Sequence, residues 1–164
     1  MPIAPERLRS VLDAVRLVSA ETEFESLATL TPHLACGLVR AEGAMLYLLD
    51  TSSGELRSAA AFGIPVRAIC LKLSQGFAGL AASMGQPVRV ADAAADPHYH
   101  KGVDEATGFR TRQVLAVPIK NRRGDTLGVL EMCNAADGEF SVDDEELAAM
   151  VAAQVGVALG NIHV

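Results

Sequence analysis

Apolar residues in this chain occur in short runs interrupted by turn residues, and this pattern limits the fold more than any single motif. They make up 50% of the 164 residues, yet the longest runs are Ala44–Leu49 and Leu147–Ala153. A membrane span needs about 18 such residues. The start, Met1–Arg7, has no basic segment followed by an apolar one, so no signal peptide is indicated. We expect one cytoplasmic domain over residues 1–164.

Helical periodicity marks both ends of the chain. Pro5 suits the first turn of a helix, which the spacing predicts over about residues 5–19. Thr22 with Glu25 has the pattern of a capping box for a second helix, and Ser141 with Asp144 precedes the last one. The predicted apolar stripes are Leu8, Val11, Leu12, Val15 and Val18 on the first helix; Leu27, Leu30, Leu34 and Leu38 on the second; and Leu147, Met150, Val151, Val155, Leu159 and Ile162 on the last.

Short apolar runs between these helices predict strands. They lie at residues 44–50, 56–62, 69–73, 88–90, 114–119 and 127–133. A small-residue helix over 77–84 ends at Gly85, and residues 91–112 form a long polar connection with one helical turn near 104–107. Strands gathered between terminal helices favour a mixed α/β fold of the α+β kind, with an antiparallel sheet covered by helices.

Charge and motif content exclude several classes of protein. The net charge is −6 and the longest basic run is Arg122–Arg123, so the chain lacks the cationic surface of a nucleic-acid binder. It also has no P-loop, no Gly-x-Gly-x-x-Gly and no Gly-x-Ser-x-Gly sequence. The acidic residues 143–146 suit the positive end of a helix dipole and need no catalytic role. No catalytic residues are predicted.

Cysteine and histidine spacing argues against a disulfide or a metal site. Cys36, Cys70 and Cys133 are isolated within apolar segments, where a free thiol acts as a small hydrophobic side chain. His98 and His100 alternate in the long connection beside two aspartates, and histidine is the commonest metal ligand. Two histidines alone do not complete a metal or haem site, so no metal is predicted.

The segment from residue 92 to residue 145 carries a distinctive series of motifs. Its most specific part is residues 104–112, DEATGFRTR. The series continues with Leu115–Ile119, Gly128–Asn134, Phe140, Asp144 and Glu145. In this order the motifs closely resemble the GAF domains of cyclic-nucleotide phosphodiesterases and related cyclases, over about residues 24–162.

The resemblance implies a six-stranded antiparallel sheet, with terminal helices on one face and a loop-covered ligand pocket on the other. In family members that bind cyclic nucleotides, the matching positions line that pocket, and no further cofactor is implied. They are Ala78 (by its backbone), Asp104, Thr107, Thr111 and Glu131, with Phe77 or Phe62 to cover a flat ring and His100 at an often aromatic position. Threonine hydroxyls and carboxylates suit the polar edge of a purine.

The sequence departs from the family pattern at a few positions. Met45 and Gly63 stand where the family often has a hydroxyl and an acid. Together with His100, they argue against cyclic GMP and leave cyclic AMP or another ligand open. Ala135 replaces a family lysine that pairs with the aspartate at Asp144, so this salt bridge lacks its usual cation.

The expected function is small-molecule sensing by a regulatory domain that is not an enzyme. Ligand occupancy would bias the terminal helices, which are expected to form a homodimer and to act on an output domain of a larger signalling protein. The helical pattern has no cap at residues 160–164, which favours an excised fragment. The alternatives are a ligand-free dimerisation scaffold, with Met45 and Phe77 filling the pocket, and a methionine sulfoxide reductase, a kind of GAF protein that uses loop cysteines.

Overall fold

The computed structural model describes residues 2–65 and 68–162, so the two ends of the predicted 1–164 domain lie outside the described residues. In chain order, the elements are α1 (Pro5–Ser19), α2 (Phe24–Val39), β1 (Ala41–Asp50), β2 (Glu55–Phe62), β3 (Cys70–Lys72), α3 (Gly76–Met84), β4 (Val88–Val90), α4 (Lys101–Thr107), β5 (Val114–Lys120), β6 (Thr126–Ala135) and α5 (Val142–Ile162). The predicted elements are present with boundaries shifted by a few residues. None of the described helices is both long and apolar enough to span a membrane.

The strands form one six-stranded sheet in the order β3-β2-β1-β6-β5-β4. Every neighbouring pair is antiparallel. The last strand of the chain, β6, therefore lies in the centre between β1 and β5. Helices α1, α2 and α5 pack against one face, and α3 lies on the other with the connection that contains α4. The predicted six-stranded antiparallel sheet with terminal helices on one face is confirmed.

Side chains alternate between two hydrophobic cores along the central strands. In β1, Leu46 packs towards the terminal helices, while Met45 and Tyr47 pack towards α3. In β6, the residues that face the terminal helices are Leu130 and Met132, and those that face α3 are Val129 and Cys133. Both faces of these strands are buried, so apolar residues occur on both. The sequence therefore has no regular alternation of apolar and polar residues that would distinguish one face from the other.

Of the two helix starts predicted from capping residues, only that of α5 has the predicted cap. Before α5, the Ser141 hydroxyl accepts the Asp144 N–H at 3.0 Å, and the Asp144 carboxylate accepts the Ser141 N–H at 2.8 Å. The box predicted from Thr22 is wrong, because α2 begins at Phe24 and its N-cap is Glu23, which makes no capping hydrogen bond through its side chain. Extended backbone at Glu23 sets the start of the helix instead.

Asp144 has a cation partner despite the alanine at position 135. The guanidinium of Arg7 in α1 donates to the Asp144 carboxylate and, at 3.2 Å, to the carbonyl oxygen of Leu38 at the end of α2. Arg7 thus supplies the cation for Asp144 from a distant part of the chain. This pair connects α1, α2 and α5, the three helices of one layer.

Replacing Arg7 with alanine is expected to lower the free energy of unfolding by about 1–2 kcal/mol, because the partly buried Asp144 loses a charged hydrogen-bond donor. The matched control is Arg16→Ala in the same helix. Arg16 pairs with Asp13, but their side chains are 78% and 56% exposed, so the expected loss is below about 0.5 kcal/mol. Urea denaturation measures both changes, and equal losses would contradict a special role for Arg7.

The apolar stripes predicted for a dimer interface are largely used within the monomer. Val11 and Val18 of α1 are buried, as are Val151, Val155 and Leu159 of α5. The large apolar side chains that remain exposed on these two helices are Leu8, Leu12, Leu17, Val142 and Met150. A dimer through the terminal helices therefore stays a prediction, but with a different contact surface.

The cysteines do not all behave as packed hydrophobic residues. Cys36 and Cys133 are buried, as predicted, whereas Cys70 is exposed. Its strand, β3, is three residues long and lies at the edge of the sheet, where alternate side chains face solvent.

Candidate ligand pocket

A small cavity lies between the centre of the sheet and the connection that covers it. Its floor consists of Tyr47 from β1 and Glu131 from β6, which share one face of the sheet. Its wall includes Gly76 and Phe77 from the first turn of α3. The cover, which we define as residues 99–111, contributes the remaining polar groups. The cavity is therefore lined by three separate parts of the fold.

Glu131 is the most unusual group of the floor, since it is buried without a cationic partner. Burial, and to a smaller extent the nearby charge of Asp104, raise the pKa of its carboxyl from 4.5 to about 7. Its hydrogen-bond contact within the described part of the chain is the Cys133 thiol, whose sulfur lies 3.9 Å from Oε1. A carboxyl group held in this way has unused acceptor capacity that faces the cavity.

Asp104 holds the cover closed. Its Oδ2 accepts the Tyr99 hydroxyl and the Thr111 N–H, both at 2.9 Å, and its Oδ1 accepts the Thr111 hydroxyl at 2.6 Å. These bonds join the start, the helix and the end of the cover through one carboxylate. The pKa of the Tyr99 phenol is raised, first by burial and then by this hydrogen bond to Asp104.

Asn134 anchors the end of the cover to the sheet. Its side-chain carbonyl accepts the Arg112 N–H at 2.6 Å, and its amide donates to the Arg110 carbonyl and the Glu42 carboxylate, both at 2.8 Å. Its backbone is left-handed, with φ of 64°, a conformation that asparagine tolerates better than most residues. The sequence indicated Asn134 as part of a motif but not as this anchor.

The structure brings together five of the seven predicted site residues. Phe77, His100, Asp104, Thr111 and Glu131 line the cavity.

The other two predicted residues do not line it. Ala78 is fully buried within α3. The Thr107 hydroxyl donates to the Val103 carbonyl at 2.9 Å and accepts the Phe109 N–H at 3.2 Å, so it stabilises the end of α4. Phe62, predicted as a cover for a ring, lies instead beside His33 of α2, with ring centres 4.5 Å apart.

Sequence reasoning missed two tyrosines of the site, Tyr47 and Tyr99. Tyr47 lies in a run of apolar residues, so the hydropathy pattern did not indicate on which face of the sheet its side chain lies. The pairing of β1 with β6, which the sequence analysis did not predict, is the signal that would have found it, since it places Tyr47 and Glu131 on the same face.

The cavity is narrow in this structure. Its volume is about 20 Å³, close to the minimum that one water molecule requires. Phe77 forms part of the wall, while Met45 is buried on the same face of the sheet as Tyr47 and is not among the residues that line the space. Any ligand larger than water therefore needs the cover to move outward.

The histidines of the connection form no metal site. His98 contacts Asp96 through its ring nitrogen at 3.0 Å, and both groups are partly exposed. Within residues 2–65 and 68–162, no group of three metal-ligating side chains comes together.

A protein-family model identifies this architecture. The model for the GAF domain matches residues 23–159. This chain belongs to the GAF domain family. The resemblance predicted from the motifs is therefore confirmed, with nearly the same boundaries as the predicted 24–162.

Similar sequences occur in much longer proteins. The chain is 38% identical over 87 residues to the dual 3',5'-cyclic-AMP and -GMP phosphodiesterase 11 of Drosophila melanogaster, which covers 52% of this chain and 6% of that protein. It is 32% identical over 124 residues to the probable 3',5'-cyclic phosphodiesterase pde-5 of Caenorhabditis elegans, or 74% of this chain and 17% of that protein. The chain thus matches less than a fifth of the length of either relative.

Solved structures share the fold at low sequence identity. The GAF domain of an Acinetobacter phosphoenolpyruvate-protein phosphotransferase superposes with a TM-score of 0.83 at 20% identity, covering 98% of this chain and 96% of that one. A free methionine-R-sulfoxide reductase from Neisseria meningitidis superposes with a TM-score of 0.73 at 19% identity, and the match also covers 98% of this chain and 96% of that one. These likenesses concern the fold alone.

Proposed function

We propose that this GAF domain is a sensory module that binds a cyclic purine nucleotide between the floor and the cover of the pocket. The observation that carries the proposal is the polarity of the cavity. The lining includes both a buried carboxyl group without a cation and the first turn of a helix without a side-chain cap. A molecule with hydrogen-bond donors at one end and an anion at the other complements both.

The anionic end of the ligand is assigned to α3. The first N–H groups of a helix have no partners within it, and the helix dipole adds positive potential there. Gln75, the N-cap, makes no capping hydrogen bond with its side chain, which instead accepts the Lys72 N–H at 3.0 Å. Gly76 and Phe77 of this turn line the cavity. A phosphate can bind at such a terminus without lysine or arginine.

The base of the ligand is assigned to the carboxyl groups of Glu131 and Asp104. Glu131 and Asp104 both line the cavity, and ionised carboxylates only accept hydrogen bonds. The N–H groups of a purine supply the matching donors, while the rings of Phe77 and Tyr99 flank the same space. The cyclic-nucleotide phosphodiesterase relatives support this class of ligand.

Binding must move the cover, and this movement supplies the signal. The ligand offers Glu131 and Asp104 new partners, and the hydrogen bonds of Asp104 to Tyr99 and Thr111 adjust as the cavity opens. Two states with unequal affinity for the ligand are what regulation requires. We propose that an output domain in the full protein reads this change, together with a homodimer formed through the exposed apolar residues of α1 and α5.

The thiols favour a regulatory role over that of a sulfoxide reductase. A nucleophilic cysteine needs a lowered pKa. Burial instead raises the pKa of Cys36 to about 11, and burial with the charge of Glu131 raises that of Cys133 well above its ordinary value. The pKa of the exposed Cys70 is raised as well, by desolvation and the neighbouring Glu55.

A matched pair of variants tests the anionic end. Gln75→Asp places a carboxylate beside the proposed phosphate position, whereas Gln75→Asn has nearly the same shape without the charge. At an effective dielectric constant of about 20, two like charges some 6 Å apart repel by roughly 3 kcal/mol. We therefore expect the aspartate variant to bind cyclic AMP and cyclic GMP at least about tenfold more weakly than the asparagine variant.

Isothermal titration calorimetry measures these affinities, with the linear 5'-monophosphates as comparison ligands. Both variants should remain folded, since Asp and Asn are each favourable N-cap residues. The absence of heat and of a thermal shift for both cyclic nucleotides at millimolar concentration would overturn the proposed ligand class. Equal affinities of the two variants would show that the phosphate does not bind at the start of α3.

A further inference from the structure

The hydroxyl of Tyr47 is a buried polar group that makes no hydrogen bond with the described residues. Tyr47 is fully buried in the centre of the sheet and lines the ligand cavity. Its pKa is raised well above the ordinary value by burial first and then by the charges of Glu131, Cys133 and Asp104. Phenylalanine would fill the same space without an unsatisfied hydroxyl group.

An unsatisfied buried hydroxyl lowers the stability of a folded protein, because water is removed and nothing replaces it. Groups of this kind are rare in native structures and have a specific cause where they occur. Here the tyrosine lines a cavity that the polar side chains of Glu131 and Asp104 also line. The arrangement is that of a binding group whose partner arrives with the ligand.

The strand register places Tyr47 next to Glu131 on the floor. Tyr47 pairs with Val129, and Met45 pairs with Glu131, so Tyr47 and Glu131 are diagonal neighbours on one face, which are typically about 7–8 Å apart. They are not hydrogen-bonded to each other. A flat ligand edge between them would meet a hydroxyl donor and a carboxyl acceptor side by side.

We propose that Tyr47 is a ligand-binding and specificity-determining residue, which donates a hydrogen bond to the oxo group of a six-oxo purine while Glu131 and Asp104 accept from its N–H groups. This inference rests on the proposed function. Of the three hydroxyl-bearing residues that line the cavity, Tyr99 and Thr111 donate to Asp104, so the Tyr47 hydroxyl is the donor without a partner among the described residues. The carboxyl groups of the same lining supply the acceptors. Guanine presents one oxo acceptor beside a ring N–H and an amino group, whereas adenine presents a single amino donor beside ring nitrogens that accept. The preference is therefore the reverse of the one that the sequence departures suggested.

The experiment compares the wild-type domain with Tyr47→Phe by calorimetry, using cyclic GMP, cyclic IMP and cyclic AMP as probes. Cyclic IMP keeps the oxo group and the ring N–H but lacks the amino group. For the wild type, we expect affinity to decrease in the order cyclic GMP, cyclic IMP, cyclic AMP. Tyr47→Phe should weaken the first two by about tenfold and change cyclic AMP by less than about threefold.

Thermal unfolding without ligand separates a binding role from a packing role. Because Tyr47→Phe removes an unsatisfied hydroxyl, its midpoint should stay equal or rise by about 2–4 °C. Tyr99→Phe is the contrast, since Tyr99 donates to Asp104 and its loss should lower the midpoint. A lower midpoint for Tyr47→Phe with unchanged affinities would assign Tyr47 to packing and overturn the inference.

The two proposals fail in different ways. If none of the three cyclic nucleotides binds the wild type, the proposed function is wrong, and the Tyr47 inference falls with it. If they bind but Tyr47→Phe leaves their affinities unchanged, only the inference is wrong. Tighter binding of cyclic AMP than of cyclic GMP by the wild type would also contradict it.

Discussion

The unliganded domain is expected to lose stability as the pH rises from about 5 to 8, and Glu131→Gln is expected to remove most of that loss. The pKa of Glu131 is about 7 in the folded protein, against an ordinary value of 4.5. Between these values the folded state binds more protons than the unfolded state, so the free energy of unfolding falls as the pH rises. The full effect above the folded pKa corresponds to about 3 kcal/mol.

Other shifted groups titrate outside this window. The pKa values of Glu42 and Asp50 are lowered, mainly by side-chain hydrogen bonds from Asn134 and Ser52. A lowered pKa gives stability that is lost only as the pH falls through the acid range. The raised pKa of Cys133 acts above its ordinary value of 9.0. The slope between pH 5 and pH 8 therefore reports on Glu131.

The measurement is urea denaturation of the wild type and Glu131→Gln at pH 5 and pH 8. The variant keeps the size of the side chain but cannot ionise, so it should be more stable than the wild type at pH 8 by about 2–3 kcal/mol. At pH 5 the difference should shrink to below about 1 kcal/mol. Glu146→Gln removes an exposed carboxylate of α5 and is the control, with small changes at both pH values. Equal pH slopes for the wild type and Glu131→Gln would show that Glu131 is not desolvated as described.

This energetic penalty has a functional meaning in the proposed mechanism. A ligand that donates hydrogen bonds to Glu131 stabilises its ionised form and recovers part of the lost stability. The unsatisfied hydroxyl of Tyr47 acts in the same direction, since it also gains a partner only on binding. Both groups lower the stability of the empty domain relative to the occupied one, which is how a binding site separates two states.

Much of the fold could be predicted from the sequence because local signals agreed with the global structure. Turn residues separated the strands, helical spacing identified α1 and α5, and the Ser141–Asp144 pair gave the start of α5 correctly. The motif at residues 104–112 directed attention to Asp104 and Thr111. Glu131 was indicated by its matching position in the family motif.

The remaining features depend on three-dimensional contacts that local patterns do not encode. Thr107 could be a ligand residue in the sequence, yet the end of α4 uses its hydroxyl for the backbone. Arg7 and Asp144 are 137 positions apart, so no local pattern predicts their pairing. Tyr47 lies in a strand that is buried on both faces. The face on which its side chain lies therefore cannot be predicted until the register with β6 is known.

The second large effect is expected at Gly156, where α5 crosses the sheet. A Cβ atom at this position would lie 2.0 Å from the carbonyl oxygen of Lys120 in β5 and 2.9 Å from its carbonyl carbon. Both contacts involve backbone, which cannot rotate away, so α5 would have to move from the core it covers. We expect Gly156→Ala to lower the free energy of unfolding by about 3 kcal/mol, at the upper end of typical overpacking.

Gly160 provides a matched control one helical turn later. A Cβ atom there meets nothing within 4 Å, and alanine is the better helix former, so Gly160→Ala should raise the free energy of unfolding by up to about 1 kcal/mol. Urea denaturation of the two variants measures opposite signs for the same substitution in the same helix. If Gly156→Ala proved as stable as the wild type, the close packing of α5 on β5 would be refuted. The pocket on the other face of the sheet should keep its ligand affinity in Gly160→Ala, because that residue lies in the opposite layer.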